Sequence, residues 1–145
     1  MFVIEKKLKH FSAAHRIING YQGKCRHLHG HNYSGSVVIA AKQLNQFGFV
    51  IDFDDIKTHL DEWVQAHWDH ATLVSTQDEE LLAFVRDNNQ HHFVLPDNEN
   101  SSSENLAKYL FYKFTDIISK LDYDVVVVSV TVSESSTAQA TFSHE

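Results

Sequence analysis

The stretch HLHGHNYSGSVVIAA, residues 27–41, predicts a long β-strand, because valine, isoleucine and tyrosine are enriched in strands. Side chains alternate between the two faces of a strand, so His29 and His31 are expected to point to the same side. Two imidazoles spaced in this way can chelate one metal ion. The chain has 11 histidines, however, so the pair taken alone leaves an accidental His-x-His open as well.

Upstream of this strand, residues 2–15 predict another strand that is followed by a loop. β-Branched and aromatic residues lead in, and Leu8, His10 and Ser12 then alternate with charged or small neighbours. Two glycines in GYQGKC, residues 20–25, indicate the loop that returns the chain into residues 27–41. The two strands are therefore expected to form an antiparallel pair.

This pairing brings a third histidine to the first two. His15, in FSAAHR, lies near the end of the first strand, where an antiparallel partner would place it close to His29 and His31. Three histidines suit zinc, and a site with three protein ligands keeps a fourth position open, as catalytic zinc sites do. The remaining histidines apart from His70 are expected on the surface: His10, His27, His59, His67, His91, His92 and His144.

The rest of the chain predicts helices followed by a second pair of strands. The expected elements are a helix over residues 54–67, a short helix over 78–86, an edge strand over 91–96 and two strands over 124–134 and 138–145. Ser101 and Glu104 have the spacing of a capping box and are expected to start a long amphipathic helix. The order predicts a single α+β domain over residues 1–145 with an antiparallel sheet.

Composition limits the classes of function. The chain has 145 residues, 43% hydrophobic residues and a net charge of −7, so it is expected to be one globular domain and not a nucleic-acid-binding protein. Its single cysteine fits a reducing compartment. No signal-peptide pattern and no membrane-crossing apolar run is apparent, which predicts a cytoplasmic protein that does not contact the membrane.

Cys25 has three interpretations. It could be a fourth ligand of the ion, an inert core residue, or a base beside the metal. Lys24 and Arg26 flank it and favour the thiolate form, which is the reactive one. A thiolate next to a zinc-bound substrate could remove a carbon-bound proton.

Two acidic positions could also belong to a site. Asp69 precedes His70, and a carboxylate that orients a histidine is a common acid–base device, although a histidine just past a helix end is also common for structural reasons. Glu134 ends the apolar strand VVVVSVTVSE, where a carboxylate by itself indicates only the exit of the strand to solvent.

Five separated motifs and a final glutamate together resemble one family, from Phe11 to about Phe142. They are FSAAHR, C-x3-H-G-H-N-Y, GFVIDFDDIK, DH followed by L, ENSSSENLA and the strand that ends in Glu134. The sequence is similar in their order and spacing to the 6-pyruvoyl-tetrahydropterin synthase and 6-carboxy-tetrahydropterin synthase family.

The resemblance implies roles for individual residues. It implies zinc ligands at His15, His29 and His31, a catalytic cysteine at Cys25, a proton-relay pair at Asp69 and His70, and a pterin-anchoring carboxylate at Glu134. A carboxylate can accept two parallel hydrogen bonds from the 2-amino and N3–H edge of a pterin.

The chain departs from the family pattern at several positions. The usual Asn-Pro-Thr before the long helix is Asn100, Ser101 and Ser102, which keeps a substrate-binding hydroxyl at Ser102 and loses the proline. Trp68 replaces a common leucine, and the segment 74–97 is longer than in compact members. These departures concern the shape of the pocket.

The resemblance also implies a fold, an assembly and a reaction. The fold is the tunnelling fold, in which each subunit has a four-stranded antiparallel sheet with helices on one face. Three subunits close a barrel, and two such trimers stack into a hexamer.

The short C-x3-H-G-H spacing resembles the branch that converts 7,8-dihydroneopterin triphosphate to 6-carboxy-tetrahydropterin, acetaldehyde and triphosphate in queuosine (7-deazaguanine) biosynthesis. The alternatives are 6-pyruvoyl-tetrahydropterin synthesis and a non-catalytic zinc- or pterin-binding relative. Plausible neighbours of the triphosphate are Arg16, Lys24 and Arg26.

Overall fold

A computed structural model describes residues 1–144, and Glu145, the end of the last predicted strand, lies outside the described residues. The strands are β1 Phe2–Lys7, β2 Phe11–His15, β3 His29–Ala41, β4 Ala71–Ser75, β5 His92–Leu95, β6 Val126–Ser133 and β7 Gln139–Ser143. The helices are α1 Phe53–Ile56, a π-helical turn Lys57–Asp61, α2 Glu62–His67, α3 Glu79–Asp87 and α4 Ser103–Ser119. None of these helices is both long enough and apolar enough to span a bilayer.

The long strand β3 organises the sheet. Its C-terminal part pairs antiparallel with β1 on one side and β6 on the other, and β6 pairs with β7. This is the expected four-stranded antiparallel sheet. The N-terminal part of β3 pairs with β2, and β4 and β5 follow beside β2 in parallel orientation. The sheet therefore has seven strands, more than expected, with β5 at an edge as predicted.

Helix α4 packs on one face of the antiparallel sheet. Leu106, Leu110 and Phe114 recur at helical spacing and are fully buried against β6 residues such as Val130 and Val132. Burial of such apolar side chains is the main favourable term in folding. The α+β class with helices on one face is confirmed.

The predicted single strand over residues 2–15 is interrupted by a bulge. Lys7 pairs with Ser36 and Phe11 pairs with Tyr33, so three residues oppose two on β3. The extra residue shifts the alternation by one. Leu8 is buried, His10 is exposed as expected, Ser12 is exposed, and the buried positions of β2 are Phe11, Ala13 and His15. The alternation predicted over residues 2–15 is therefore broken, and His15 points inward because of the bulge.

Side chains from the helical segment hold this bulge. The Lys9 N–H donates to Oδ1 of Asp61 at 2.9 Å, and the Gln65 amide donates to the His10 carbonyl at 3.0 Å. Asp61 is 6% exposed and lies in the π-helical turn within the predicted helix 54–67. Such turns are single-turn insertions that re-aim the residues they contain. Here the turn presents a carboxylate to a strand backbone that has no ladder partner.

The long helix begins one residue later than the capping box predicts. Ser102 is the N-cap, with extended backbone angles and a hydroxyl that accepts from the Asn105 N–H at 3.3 Å. Ser101 is fully buried and faces His15 instead. The predicted Ser101–Glu104 box is wrong because Ser101 is turned toward the strands. Glu104 still lies in the first turn, where the helix dipole favours a negative charge.

Replacement of Asp61 by alanine is expected to lower the free energy of unfolding by about 1–3 kcal/mol, because the Lys9 N–H would lose its acceptor. Asp61→Asn keeps a carbonyl acceptor and should lose less. Urea unfolding measures the difference, with the exposed neighbour variant Glu62→Ala as a control that should stay within about 0.5 kcal/mol of the parent. An Asp61→Ala variant as stable as Glu62→Ala would show that the bulge does not depend on this contact.

Candidate metal centre and active site

Three histidines converge where β2 meets the start of β3. His15 is the direct partner of His29 in the antiparallel register, and His31 is the partner of the small residue Ala13. The ring centroids are 4.7 Å apart for His15 and His29, 4.8 Å for His29 and His31, and 5.1 Å for His15 and His31. One nitrogen from each ring lies within 4.8 Å of the other two. The predicted juxtaposition of the three imidazoles is confirmed.

Backbone carbonyls orient two of the rings. Nδ1 of His15 lies 2.6 Å from the Ser101 carbonyl, and Nδ1 of His29 lies 2.6 Å from the His27 carbonyl. A carbonyl only accepts, so both Nδ1 atoms carry the proton and donate it, which leaves the Nε2 lone pairs for the centre of the cluster. Sequence reasoning missed Ser101 and His27 in this role, because a backbone carbonyl has no residue-type signature.

The cluster fits a metal ion. The Nε2 atoms of His29 and His31 are buried and have no hydrogen-bond partner among residues 1–144. Burial lowers the pKa of His15, and the neighbouring His29 and His31 lower it further, against the opposing effects of the Ser101 carbonyl and Glu134. A neutral imidazole is the form that binds metal. Three imidazoles with nitrogens that converge within 4.8 Å are a donor set that zinc prefers.

Glu134 lies at the same cluster. It directly follows β6, and its two carboxylate oxygens are 3.7 Å from Nε2 of His31 and 4.0 Å from Nε2 of His15. The side chain is one-third exposed. The carboxylate therefore faces the histidines of its own chain, between the buried ring of His15 and solvent.

Cys25 lies in a single turn of 3-10 helix, Lys24–Arg26. Its carbonyl accepts from the Ile17 N–H at 2.8 Å, which fixes the turn to the end of β2. The charges of Glu134 and Cys25 add to burial in raising the pKa of Tyr33. The Tyr33 hydroxyl therefore stays protonated, and it lies 3.3 Å from Nε2 of His15. Cys25 is half-buried, which does not match the inert-core interpretation.

Asp69 and His70 form the expected hydrogen-bonded pair. Nδ1 of His70 is 2.8 Å from Asp69, whose other oxygen accepts from the Ser12 N–H at 2.9 Å. That backbone hydrogen bond and His70 lower the pKa of Asp69, so the carboxylate stays charged. The His70 side chain is 82% exposed. Within the described chain, no hydrogen bond or ion pair links Asp69 or His70 to the three-histidine cluster.

Comparison with known proteins identifies the family. The sequence profile described as 6-pyruvoyl tetrahydropterin synthase (PTPS) matches residues 4–145. The chain belongs to this family. The expected resemblance to the 6-pyruvoyl and 6-carboxy tetrahydropterin synthases is therefore confirmed.

Curated relatives of this pterin synthase family carry the 6-carboxy name. The 6-carboxy-5,6,7,8-tetrahydropterin synthase of Rickettsia bellii is 37% identical over 100 residues, which cover 69% of this chain and 71% of that protein. The protein of the same name in Haemophilus influenzae is 28% identical over 144 residues, which cover 95% and 96% of the two chains.

Solved structures share the fold. An uncharacterized protein of Wolinella succinogenes has a TM-score of 0.82 at 21% identity, with 99% of this chain and 98% of that chain covered. The 6-pyruvoyl tetrahydropterin synthase of Caenorhabditis elegans has a TM-score of 0.70 at 25% identity, with 100% and 98% covered. The expected fold is confirmed by these likenesses.

Several departures from the family pattern have a structural account. The loop that lacks the proline is joined to the segment after β2, because the side-chain oxygen of Asn100 accepts from the Ile18 N–H at 2.9 Å. Trp68 is fully buried beside Phe93 of β5, at 5.8 Å between ring centroids. Trp68 thus belongs to the core, and the longer segment 74–97 supplies part of its packing.

The three basic residues expected near the triphosphate, Arg16, Lys24 and Arg26, differ in whether their charge is already paired within the chain. Arg16 forms a bidentate ion pair with Asp78, at 2.6 and 2.7 Å, so its charge is already matched. Arg26 donates to the Gln22 carbonyl at 2.8 Å and is exposed, as is Lys24. The expectation that Arg16 neighbours the triphosphate is not supported by this pairing.

Replacement of His31 by alanine is expected to weaken zinc binding by more than about 100-fold, because a ligand is lost and not merely a residue that orients a ligand. Competition with a chelator of known zinc affinity measures the change. His27→Ala is the matched control: His27 is exposed and contributes only its backbone carbonyl to His29, so its variant should bind zinc like the parent. Equal zinc affinity in all three proteins would contradict the assignment.

Proposed function

We propose that the protein is a zinc-dependent 6-carboxy-tetrahydropterin synthase of the queuosine (7-deazaguanine) pathway. It would convert 7,8-dihydroneopterin triphosphate to 6-carboxy-5,6,7,8-tetrahydropterin and release acetaldehyde and triphosphate. The observation that carries the proposal is the cluster of three imidazoles, two of which have buried nitrogens with no partner in the described chain. The names of the Rickettsia and Haemophilus relatives support the choice of product.

His15, His29 and His31 would hold the zinc ion through their Nε2 atoms. The bound ion supplies Lewis-acid polarisation of the oxygen atoms on the substrate side chain. The Ser101 and His27 carbonyls keep the rings in the orientation that this binding needs. We propose a cytoplasmic location for the protein, with residues 1–145 acting as one domain.

Cys25 would act as the base that removes a proton from the substrate side chain. Its turn is fixed beside β2 through the hydrogen bond to Ile17, and Lys24 and Arg26 flank it in the same turn. His70, oriented by Asp69, would donate and accept protons in the later steps. Because His70 is exposed and the pair does not contact the cluster in its own chain, the pair is proposed to serve the site of an adjacent copy.

Glu134 and Ser102 are the proposed contacts to the pterin. The Glu134 carboxylate can accept two parallel hydrogen bonds from the 2-amino and N3–H edge. Ser102 uses its oxygen to cap α4 and keeps its hydroxyl hydrogen available for a ligand. Both residues are partly exposed, as ligand contacts must be.

The main alternative is 6-pyruvoyl-tetrahydropterin synthase activity, in which triphosphate is eliminated and the side chain is kept. The family profile and the Caenorhabditis structure carry that name. It would use the same zinc ligands and the same cysteine. A non-catalytic relative that binds zinc or pterin is less favoured, because Cys25, Asp69 and His70 are all present.

Mass spectrometry of the products tests the proposal. The zinc-loaded protein incubated with 7,8-dihydroneopterin triphosphate is expected to yield 6-carboxy-tetrahydropterin and acetaldehyde. A pyruvoyl product would move the protein to the alternative branch. Unchanged substrate would contradict both activities.

The Cys25→Ala variant serves as the control. It is expected to lose at least about 100-fold in turnover, the usual contribution of a general base, while its zinc content stays the same. Loss of zinc together with activity would make Cys25 a ligand and contradict its role as the base.

We also propose that the chain assembles into a hexamer of two stacked trimers. β1 and β7 are open edges of the antiparallel sheet, and exposed large apolar side chains lie along it, among them Phe2, Val3, Val126 and Val128. Long unpaired edges with apolar neighbours favour pairing with another chain. A barrel of three such sheets would have no free edge.

Light scattering during size-exclusion chromatography is expected to give six times the mass of one chain. Val3→Lys places a charge at the β1 edge and should yield smaller species. Phe84→Lys makes the same kind of change on exposed α3, away from the sheet edges, and should leave the hexamer intact. A parent protein that elutes as a single chain would contradict the proposed assembly.

A further inference from the structure

The carboxylate of Glu134 bridges two of the histidines at the metal centre. One oxygen is 3.7 Å from Nε2 of His31, and the other is 4.0 Å from Nε2 of His15. Both separations are too long for direct hydrogen bonds. The Nε2 atom of His31 is buried and has no hydrogen-bond partner in the described chain, although a carboxylate faces it.

These separations match ligands that share an ion. Two donor atoms on a tetrahedral zinc with bonds of about 2.0–2.1 Å are roughly 3.3 Å apart. The three imidazole nitrogens are spread over as much as 4.8 Å, so each must move inward slightly to bind one ion. Oε2 of Glu134 is 3.7 Å from Nε2 of His31 and Oε1 is 4.0 Å from Nε2 of His15, and both separations are smaller than that spread.

Other groups near the ion are poorer candidates for a fourth ligand. The Tyr33 hydroxyl offers a single oxygen, and it lies 3.3 Å from Nε2 of His15 alone. Cys25 makes no hydrogen bond to the three histidines within residues 1–144, and its backbone is held in a separate turn. Glu134 alone among these presents a carboxylate to two ligand nitrogens at once.

We propose that Glu134 is the fourth protein ligand of the ion in the pterin-free protein and leaves the ion when a pterin binds. The proposal rests on the proposed function for the identity of the ion and of the incoming ligand. Three histidines alone predict an open fourth coordination position on the ion. With Glu134 as a ligand, that position is occupied until substrate binds.

The two contacts of Glu134 exclude each other. A pterin whose side chain at C6 reaches the ion has its 2-amino edge at the opposite end of a two-ring system. One carboxylate therefore cannot contact the ion and that edge at the same time. Binding of the pterin edge withdraws the carboxylate, and the vacated position accepts the substrate side chain. The ion is thereby shielded from other ligands in the resting protein.

Cobalt substitution allows a test that does not depend on turnover. Cobalt takes the same donor set and reports its coordination through visible absorption, and imidazole is a neutral probe of the fourth position, so a changed net charge does not bias its binding. If Glu134 occupies that position nine-tenths of the time, Glu134→Ala should bind imidazole about tenfold more tightly than the parent. Glu134→Gln should show a similar gain in imidazole affinity. It replaces Glu134→Ala in the experiment if Glu134→Ala does not retain cobalt.

Asp124→Ala is the matched control. It removes the same charge at the opposite end of β6, two residues before the strand begins, and should bind imidazole like the parent. Equal imidazole affinity in the parent, Glu134→Ala and Asp124→Ala would overturn the proposal. A gain in Glu134→Ala alone would support it, whether or not the protein turns over dihydroneopterin triphosphate.

Addition of unsubstituted pterin (2-amino-4-oxopteridine) tests the displacement step. It should tighten imidazole binding to the cobalt-loaded parent about tenfold and leave Glu134→Ala unchanged. If Glu134→Ala shows its gain but pterin has no effect on the parent, the ligand role stands and displacement by the pterin edge is overturned. Failure of the proposed reaction with both effects present would point to a different pterin as substrate.

Discussion

The hydrogen bond from the Lys9 N–H to the Asp61 carboxylate holds the one extra residue on which the site depends. Without that residue, β1 and β2 would form one regular strand, and His15 would lie on the face opposite to Leu8. The bulge turns the odd-numbered residues of β2 inward, so that Phe11 stacks on Tyr33 and His15 reaches His29. Successive side chains of a strand point to opposite faces, so one inserted residue moves all the following side chains to the other face. A single insertion therefore decides which face carries the metal ligands.

The backbone supplies most of the order around the histidines. The Ser101 and His27 carbonyls fix two rings, and Asn100 joins the loop before α4 to the end of β2. Such contacts set the ring orientation before any ion is bound, which lowers the entropy lost on binding. They also explain how the chain can lack the proline of the family pattern and still place Ser101 against His15.

Charge is distributed unevenly over the proposed active site. The chain carries a net charge of −7, yet its substrate would be a triphosphate. Arg16 is neutralised by Asp78, which leaves exposed Lys24 and Arg26 beside Cys25. No hydrogen bond or ion pair joins the Asp69–His70 pair to the histidine cluster in the described chain, and the pair is proposed to serve the site of another copy. Assembly and catalysis are thus parts of one proposal.

Residue types and short spacings were enough to predict part of this protein. The alternation of a strand determined that His29 and His31 share a face, and five motifs in order determined the family and hence the fold. Local pattern was not enough for the capping box at Ser101, for the bulge that interrupts the strand predicted over residues 2–15, or for the pairing of Arg16. Each of these was decided by a contact with a residue distant in sequence: Ser101 with His15, Lys9 with Asp61, and Arg16 with Asp78. The position of Glu134 against the histidines was decided in the same way, because β3 and β6 become neighbours only when the sheet forms.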